Sequence, residues 1–143
     1  MNVKTILAAK GGDVVRIEPG ATLSQAAALL AERRIGAVVI LGAGERLAGI
    51  LSERDIVRAV AENGAAALKM PVSQVMTRNV ATCGENDNVA SIMERMTKGR
   101  FRHMPVVEKD RLVGLISIGD VVKNRVEEIE AESEAIRDYI RTA

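Results

Sequence analysis

The segment Leu47-Ala48-Gly49-Ile50-Leu51-Ser52-Glu53-Arg54-Asp55-Ile56-Val57 returns 65 residues later as Leu112-Val113-Gly114-Leu115-Ile116-Ser117-Ile118-Gly119-Asp120-Val121-Val122. Leu, Gly, Ser and Asp recur identically and the positions around them stay apolar, so the chain is built on an internal repeat. Each copy reads as a strand that ends at a serine, with the aspartate in the first turn of the helix that follows.

Upstream, each copy opens on a short run rich in β-branched residues, Val14-Val15-Arg16-Ile17 and then Val80-Ala81-Thr82-Cys83. A turn-forming stretch follows, Glu18-Pro19-Gly20-Ala21 or Gly84-Glu85-Asn86-Asp87. A helix is expected next. Thr22-Leu23-Ser24-Gln25 has the form of a capping box and leads into Leu23, Ala26, Ala27 and Leu30 at helical spacing. In the second copy Asn88 is the cap, with Val89, Ile92, Met93 and Met96 on the apolar face. A basic segment precedes a buried-looking strand, Ala37-Val38-Val39-Ile40-Leu41 or Met104-Pro105-Val106-Val107, and a polar turn then leads into the repeated motif. Each copy is thus β-α-β-β-α and about 50 to 60 residues, too small to bury its own sheet well. The expected fold class is α/β (α+β), two such copies packed with pseudo-twofold symmetry. The linear division places repeat 1 with an N-terminal helical lead at residues 1–66, repeat 2 at 67–125 and a charged C-terminal helix at 126–143.

Composition narrows the function. The chain has 143 residues, 48% apolar and 27% charged, which fits one folded domain and lies far from disordered compositions. A formal net charge of +1 provides no global field toward nucleic acid or membrane, and neither is expected as a partner. Phe101 and Tyr139 are the only aromatics, so the stacking platforms of single-strand binders are missing. Cys83 and His103 are each alone of their kind, which rules out an intramolecular disulfide and a two-histidine zinc site and suits a reducing, cytoplasmic setting. The apolar stretch at residues 5–9 is too short for a signal peptide or a membrane span. Gly42-Ala43-Gly44-Glu45-Arg46-Leu47 lacks the third glycine of a dinucleotide loop and falls between strands, so it reads as a hairpin turn. Cys83 with His103 would supply a nucleophile and a base, but no orienting third group accompanies them, and the chain is not expected to be an enzyme.

The twin Leu-x-Gly-h-h-Ser-x-x-Asp-h-h motifs (h, apolar), the segment Gly99-Arg100-Phe101-Arg102-His103-Met104-Pro105-Val106-Val107 and the entry Asp13-Val14-Val15-Arg16-Ile17 together resemble a stand-alone pair of cystathionine-β-synthase (CBS) domains, a Bateman module. The resemblance spans roughly residues 3–125. It implies a regulatory sensor whose cleft between the repeats takes an adenine nucleotide: AMP, ADP, ATP or NAD, with S-adenosylmethionine ranked below them. It also implies no required cofactor, a homodimer, and action in trans on an effector protein. By the same resemblance Asp55 and Asp120 hold ribose hydroxyls, and Ser52 and Ser117 the ribose or phosphate. Backbone groups of Ile17, Ile35, Gly36 and Ala37 would read the base in one half-site. Those of Cys83, Phe101, His103 and Met104 would read it in the other, with Pro105 and Ile118 completing the set.

The residues themselves leave two readings of the aspartates. A carboxylate three residues after a serine, in the first turn of a helix, is ordinary N-capping. The same carboxylate is a good acceptor for vicinal ribose hydroxyls, and the free N–H groups of a helix start suit phosphate or ribose oxygens. Recurrence in both copies favours the ligand. Arg100, Arg102 and His103, beside Lys98, form the densest basic cluster; on an extended segment Arg100 and Arg102 would converge on a phosphate with His103 opposite. Arg54 is a further phosphate candidate, yet its counterpart is Gly119, and Gly36-Ala37 stands where the second copy has Arg102-His103. The two half-sites should therefore be unequal, one tight and one weak or differently selective.

Beyond Val122 the residues Val126, Ile129, Ser133, Ile136 and Ile140 continue a 4-3-4-3-4 seam down a long helix. Folding back on its own module and packing against a second subunit both satisfy such a seam. The competing function is a constitutive dimerisation or interaction module without a functional ligand.

Overall fold

The capping residues named by the sequence start their helices in the computed structural model, which describes residues 1–142. Thr22 Oγ1 accepts from the Gln25 N–H while Gln25 Oε1 accepts from the Thr22 N–H, opening α2 (Leu23–Arg33). Asn88 Oδ1 takes the N–H groups of Ala90 and Ser91 at the start of α5 (Val89–Gly99). Both helices end on an arginine in the left-handed region, Arg34 at φ 54° and Arg100 at φ 56°, whose N–H closes back on the last turn.

Each of these helices feeds a hairpin. β1 (Ala37–Leu41) pairs antiparallel with β2 (Leu47–Ser52), Ala37 facing Ser52 and Val39 facing Ile50. β3 (His103–Glu108) pairs with β4 (Arg111–Ser117) across Lys109 and Asp110, both at positive φ (51° and 62°), the two-residue turn whose twist suits a hairpin. The runs at residues 14–17 and 80–83, expected as strands, make only single parallel bridges, Arg16 with Val39 and Cys83 with Val106. In the first, Ile17 N–H donates to Val39 O at 3.0 Å and Val39 N–H to Val15 O at 3.1 Å. Pro105, the counterpart of Val39, has no N–H, so the second bridge shifts by one residue and Val107 donates to Cys83 O at 2.8 Å.

The described chain forms two compact units, and they do not follow the linear order of the repeats. One holds Asp13–Ala81 with Lys109–Leu112; the other holds Met1–Gly12, Thr82–Glu108 and Val113 onward. The lead helix α1 (Val3–Lys10), placed with repeat 1 by the sequence division at 1–66, thus belongs to the unit of repeat 2, where Val3 N–H donates to Asp87 O at 3.0 Å and Lys4 N–H to Glu85 O at 2.9 Å. The connection with α4 (Val72–Val75), placed in repeat 2 by the division at 67–125, belongs instead to the unit of repeat 1. There Val72 N–H donates to Ala21 O at 2.7 Å and Ser73 N–H to Pro19 O at 3.0 Å. Each lead segment crosses a hairpin at the glycine of the repeated motif. A Cβ on Gly49 would stand 2.9 Å from Thr77 O and 2.7 Å from Met76 Sδ; one on Gly114 would stand 2.6 Å from Leu7 Cδ2. The motif needs glycine because another segment occupies the space.

The core of the first unit gathers Leu23, Leu30, Val38, Ile40, Leu51 and Val72 around α3 (Glu53–Asn63). In the second unit Val3, Ile6, Val89, Ile92, Met96, Met104, Ile116 and Val121 are buried. Side chains of this size contribute about 1.5–3 kcal/mol each when fully buried. α6 runs unbroken over Ile118–Thr142, so the division at residue 126 is not an element boundary. Its buried residues are Val121 and Asn124, and Asn124 Oδ1 lies buried without a hydrogen-bond partner.

Candidate functional site

In each unit one backbone hydrogen bond draws the candidate residues together. Glu53 N–H, at the start of α3, donates to Gly36 O at 2.9 Å; Ile118 N–H, at the start of α6, donates to Arg102 O at 2.8 Å. These bonds are equivalents under the repeat. They set Ile35, Gly36 and Ala37 beside Ser52 and Asp55, and Phe101, His103 and Met104 beside Ser117 and Asp120. Ile17 reaches the first group through Val39, and Cys83 reaches the second through its N–H to Pro105 O at 3.1 Å.

Both serine–aspartate pairs are reciprocal caps. Asp55 N–H donates to Ser52 Oγ at 3.3 Å, and Ser52 N–H returns to Asp55 Oδ2 at 2.9 Å; Asp120 and Ser117 repeat this at 3.2 and 2.9 Å. In each the serine hydroxyl also donates to Oδ2, at 3.1 and 3.0 Å. Capping thus consumes one carboxylate oxygen in each pair, and the two units differ in what happens to the rest.

Asp55 is only 7% exposed. Its Oδ1 accepts from Thr77 Oγ1 at 3.4 Å and faces Arg58 Nη1 at 3.8 Å. Asp120 keeps 26% of its side chain exposed, and its cation comes from α1: Lys10 Nζ sits 2.6 Å from Oδ2 and also donates to Leu115 O at 2.8 Å. All three bonds fall on Oδ2, which leaves Oδ1 without a hydrogen-bond partner among the described residues. Burial pushes the Asp120 carboxyl up, but the Lys10 ammonium and the Ser117 N–H and hydroxyl prevail and hold it below its ordinary 3.8. It is an anion throughout the neutral range, with its charge balanced by Lys10.

Lys10 and Thr77 carried no local signal, for they lie 110 and 22 residues from the aspartates they meet. Only the crossing of the lead segments brings them there. The basic cluster is arranged differently from the expectation. Arg100 takes the left-handed turn that ends α5 and β3 begins at His103, so Arg100 and Arg102 do not alternate on one extended segment. Both are exposed, as is Arg54, while Phe101, His103 and Ile118 are half-buried and Met104 and Pro105 buried. Cys83 is 6% exposed with Sγ 3.8 Å from Pro105 O, and burial, reinforced by the Asp87 charge, pushes its thiol up to about 12. Such a thiol offers no thiolate at neutral pH. Among the described residues no group of three or more His, Cys, Asp or Glu side chains is placed to hold a metal ion. An open groove of about 620 Å³ in the first unit is lined by Arg16, Ile17, Gln25 and Glu32 among others; it shares Ile17 with the candidate set but neither Ser52 nor Asp55.

The CBS domain model matches the chain twice, over residues 4–62 and 72–127. The chain belongs to the CBS domain family. The pair is similar to the crystal structure of the CBS-domain containing protein ATU1752 from Agrobacterium tumefaciens, 50% identical, covering 87% of this chain and 99% of that one with a TM-score of 0.85. The CBS domain protein PAE2072 from Pyrobaculum aerophilum, solved as a complex with AMP, is 31% identical over 84% of this chain and 89% of its own, with a TM-score of 0.73. The CBS domain pair of protein MJ0100, solved with 5'-methylthioadenosine and S-adenosyl-L-methionine, is 27% identical over 90% and 98%, with a TM-score of 0.78. The chain spans about three fifths of the length of the first curated relatives it matches, 60% and 64%. The Ser52–Asp55 and Ser117–Asp120 pairs each fall within one of the two matched CBS stretches, and CBS pairs are ligand-binding regulatory modules. No described helix is long and apolar enough to cross a membrane.

Proposed function

We propose that this CBS pair is a non-enzymatic sensor of phosphorylated adenine nucleotides, AMP, ADP or ATP before NAD, acting in trans on a partner protein in the cytoplasm. The observation that carries the reading is the Asp120 carboxylate, with Oδ2 fixed by Ser117 and Lys10 and Oδ1 uncommitted. An acceptor held in this way suits ribose hydroxyls, and the Lys10 charge removes the repulsion that a bare carboxylate would direct at a phosphate. PAE2072 with AMP and MJ0100 with a sulfonium ligand show that CBS pairs take both charge classes. Lys10 favours the anionic one here. Asp55, with both oxygens engaged inside its own unit, makes the weaker half-site. Binding regulates only if one arrangement of the module, or of a homodimer, takes the nucleotide better than another.

Calorimetric titration with AMP, ATP, NAD and S-adenosylmethionine, on the wild type and on Asp120→Asn, tests the reading. A charge-assisted hydrogen bond is worth about 1.5–3 kcal/mol, so Asp120→Asn should weaken AMP roughly ten- to a hundredfold. Absence of binding by all four ligands would leave the constitutive interaction module, which the exposed apolar seam of α6 favours.

A further inference from the structure

The two lead segments dock alike and end differently. On the unit of repeat 2, Val89 N–H donates to Met1 O, Val3 N–H to Asp87 O and Lys4 N–H to Glu85 O; on the unit of repeat 1, Leu23 N–H donates to Met70 O, Val72 N–H to Ala21 O and Ser73 N–H to Pro19 O. These bonds align Val3 with Val72, and Leu7 with Met76, whose side chains lie against the equivalent glycines Gly114 and Gly49. In that alignment Ala8 holds the place of Thr77. The first lead is the longer: Ile17 follows Val3 by 14 positions, whereas its equivalent Cys83 follows Val72 by 11. α4 stops at Val75 and Thr77 bridges to Ile50 of β2, while α1 continues for a further turn and ends at Lys10.

Lys10 does from a helix what Thr77 does from an extended segment. Thr77 N–H donates to Ile50 O at 2.9 Å and its hydroxyl to Asp55 Oδ1 at 3.4 Å; Lys10 Nζ donates to Leu115 O, the equivalent carbonyl, at 2.8 Å and to Asp120 Oδ2 at 2.6 Å. Little else keeps the extra turn helical. Leu7 is half-buried and Ala8, Ala9 and Lys10 are exposed, so the turn has no buried apolar face, and a helix of 8 residues is marginal by itself. Gly11, at φ 95°, and Gly12 follow it and tolerate either course of the backbone. We propose that the last turn of α1 is a switch: helical while Lys10 sits on Asp120 and Leu115, and unwound onto β4, with Ala8 paired to Leu115 as Thr77 is to Ile50, once an anion draws Lys10 away. The identity of that anion as a nucleotide phosphate rests on the proposed function; the exchange of helix for strand does not.

Amide hydrogen exchange followed by NMR tests the switch, with Ile50 as internal standard. Ile50 N–H donates to Thr77 O at 3.0 Å, and Leu115 N–H gains the equivalent acceptor, Ala8 O, only in the unwound state. In the wild type Leu115 should exchange roughly tenfold faster than Ile50. Lys10→Met, with no ligand present, should slow Leu115 about tenfold, and so should deletion of residues 8–10, which gives the two leads one length. A merely structural loss of Lys10 speeds exchange throughout the unit, so slowing at Leu115 marks the switch. AMP added to the wild type should slow Leu115 in the same way. A Leu115 amide as protected as Ile50 in the wild type, or one not slowed by Lys10→Met, would overturn the proposal whether or not the deletion variant folds. AMP that binds by calorimetry without slowing Leu115 would overturn it as well. AMP that fails to bind would end the nucleotide reading instead, and Lys10→Met would still decide the switch.

Discussion

Lys10→Met should destabilise the protein although Lys10 lies in no core. Its ammonium holds Asp120 Oδ2 at 2.6 Å and Leu115 O at 2.8 Å, with the Lys10 and Asp120 side chains 37% and 26% exposed. Pairs this exposed contribute about 0.2–1 kcal/mol, and the added carbonyl bond and the anchoring of α1 place Lys10 at the upper end. A loss of about 1 kcal/mol lowers the melting temperature of a chain this size by roughly 2–4 °C. A double-mutant cycle with Asp120→Ala isolates the pair and should give a coupling energy near 1 kcal/mol at neutral pH. The pH dependence has a definite sign. Asp120 has a folded-state pKa below its unfolded value of 3.8, so its contribution is fully present above that value and is lost as pH falls through the folded one. The cycle, measured by urea denaturation, should hold its coupling energy from about pH 5 to 8 and lose it progressively below about pH 4. A coupling within about 0.3 kcal/mol of zero at neutral pH, or one that survives full protonation of Asp120, would refute the argument that α1 is fastened to its unit by this ion pair.

Cys83, with its thiol pushed up to about 12, should resist alkylation at mildly alkaline pH in the folded protein and react only on unfolding, as mass spectrometry of denaturant-titrated samples would show. Its raised pKa also means that its share of stability is present below 9.0, its unfolded value, and declines as pH rises toward 12; rapid native-state labelling would contradict the burial. Gly49→Ala sets a Cβ against the Thr77 carbonyl and should cost about 1–3 kcal/mol, whereas Gly114→Ala meets the movable end of Leu7 and should cost less. Equal losses in thermal melts would show that the crossing segments yield alike.

What the sequence made legible was local, and what it hid was long-range. The repeat, the capping residues Thr22, Asn88, Ser52 and Ser117 and the hairpin turns all depend on groups within a few positions of one another, and all are found in the structure. The serine–aspartate pairs were legible as chemistry, but their ambiguity between cap and ligand was physical: Asp120 makes the reciprocal cap and still leaves Oδ1 uncommitted. The alternation expected of Arg100 and Arg102 does not hold, because an alternation rule applies only inside a strand and Arg100 is a left-handed helix end. The crossed leads were beyond any local pattern, since α1 and α4 obey the same helix rules whichever repeat they pack on.

That crossing explains why the surroundings of Asp55 and Asp120 differ. Two copies of one motif, capped alike, would bind alike if each were completed by its own neighbourhood. Each is completed instead by a segment from the opposite side of the sequence repeat, Lys10 for Asp120 and Thr77 for Asp55. The first brings a full charge, the second a neutral hydroxyl on the oxygen that also faces Arg58 of its own helix. Because the leads lie outside the β-α-β-β-α copies, a substitution there can retune one half-site without disturbing either motif. Exchanging these two partners, Lys10→Thr with Thr77→Lys, should then move the anion preference from the half-site of Asp120 toward that of Asp55, which titration with AMP against the uncharged 5'-methylthioadenosine would reveal. An unchanged preference would place the discrimination in the motifs themselves and end the argument from the leads.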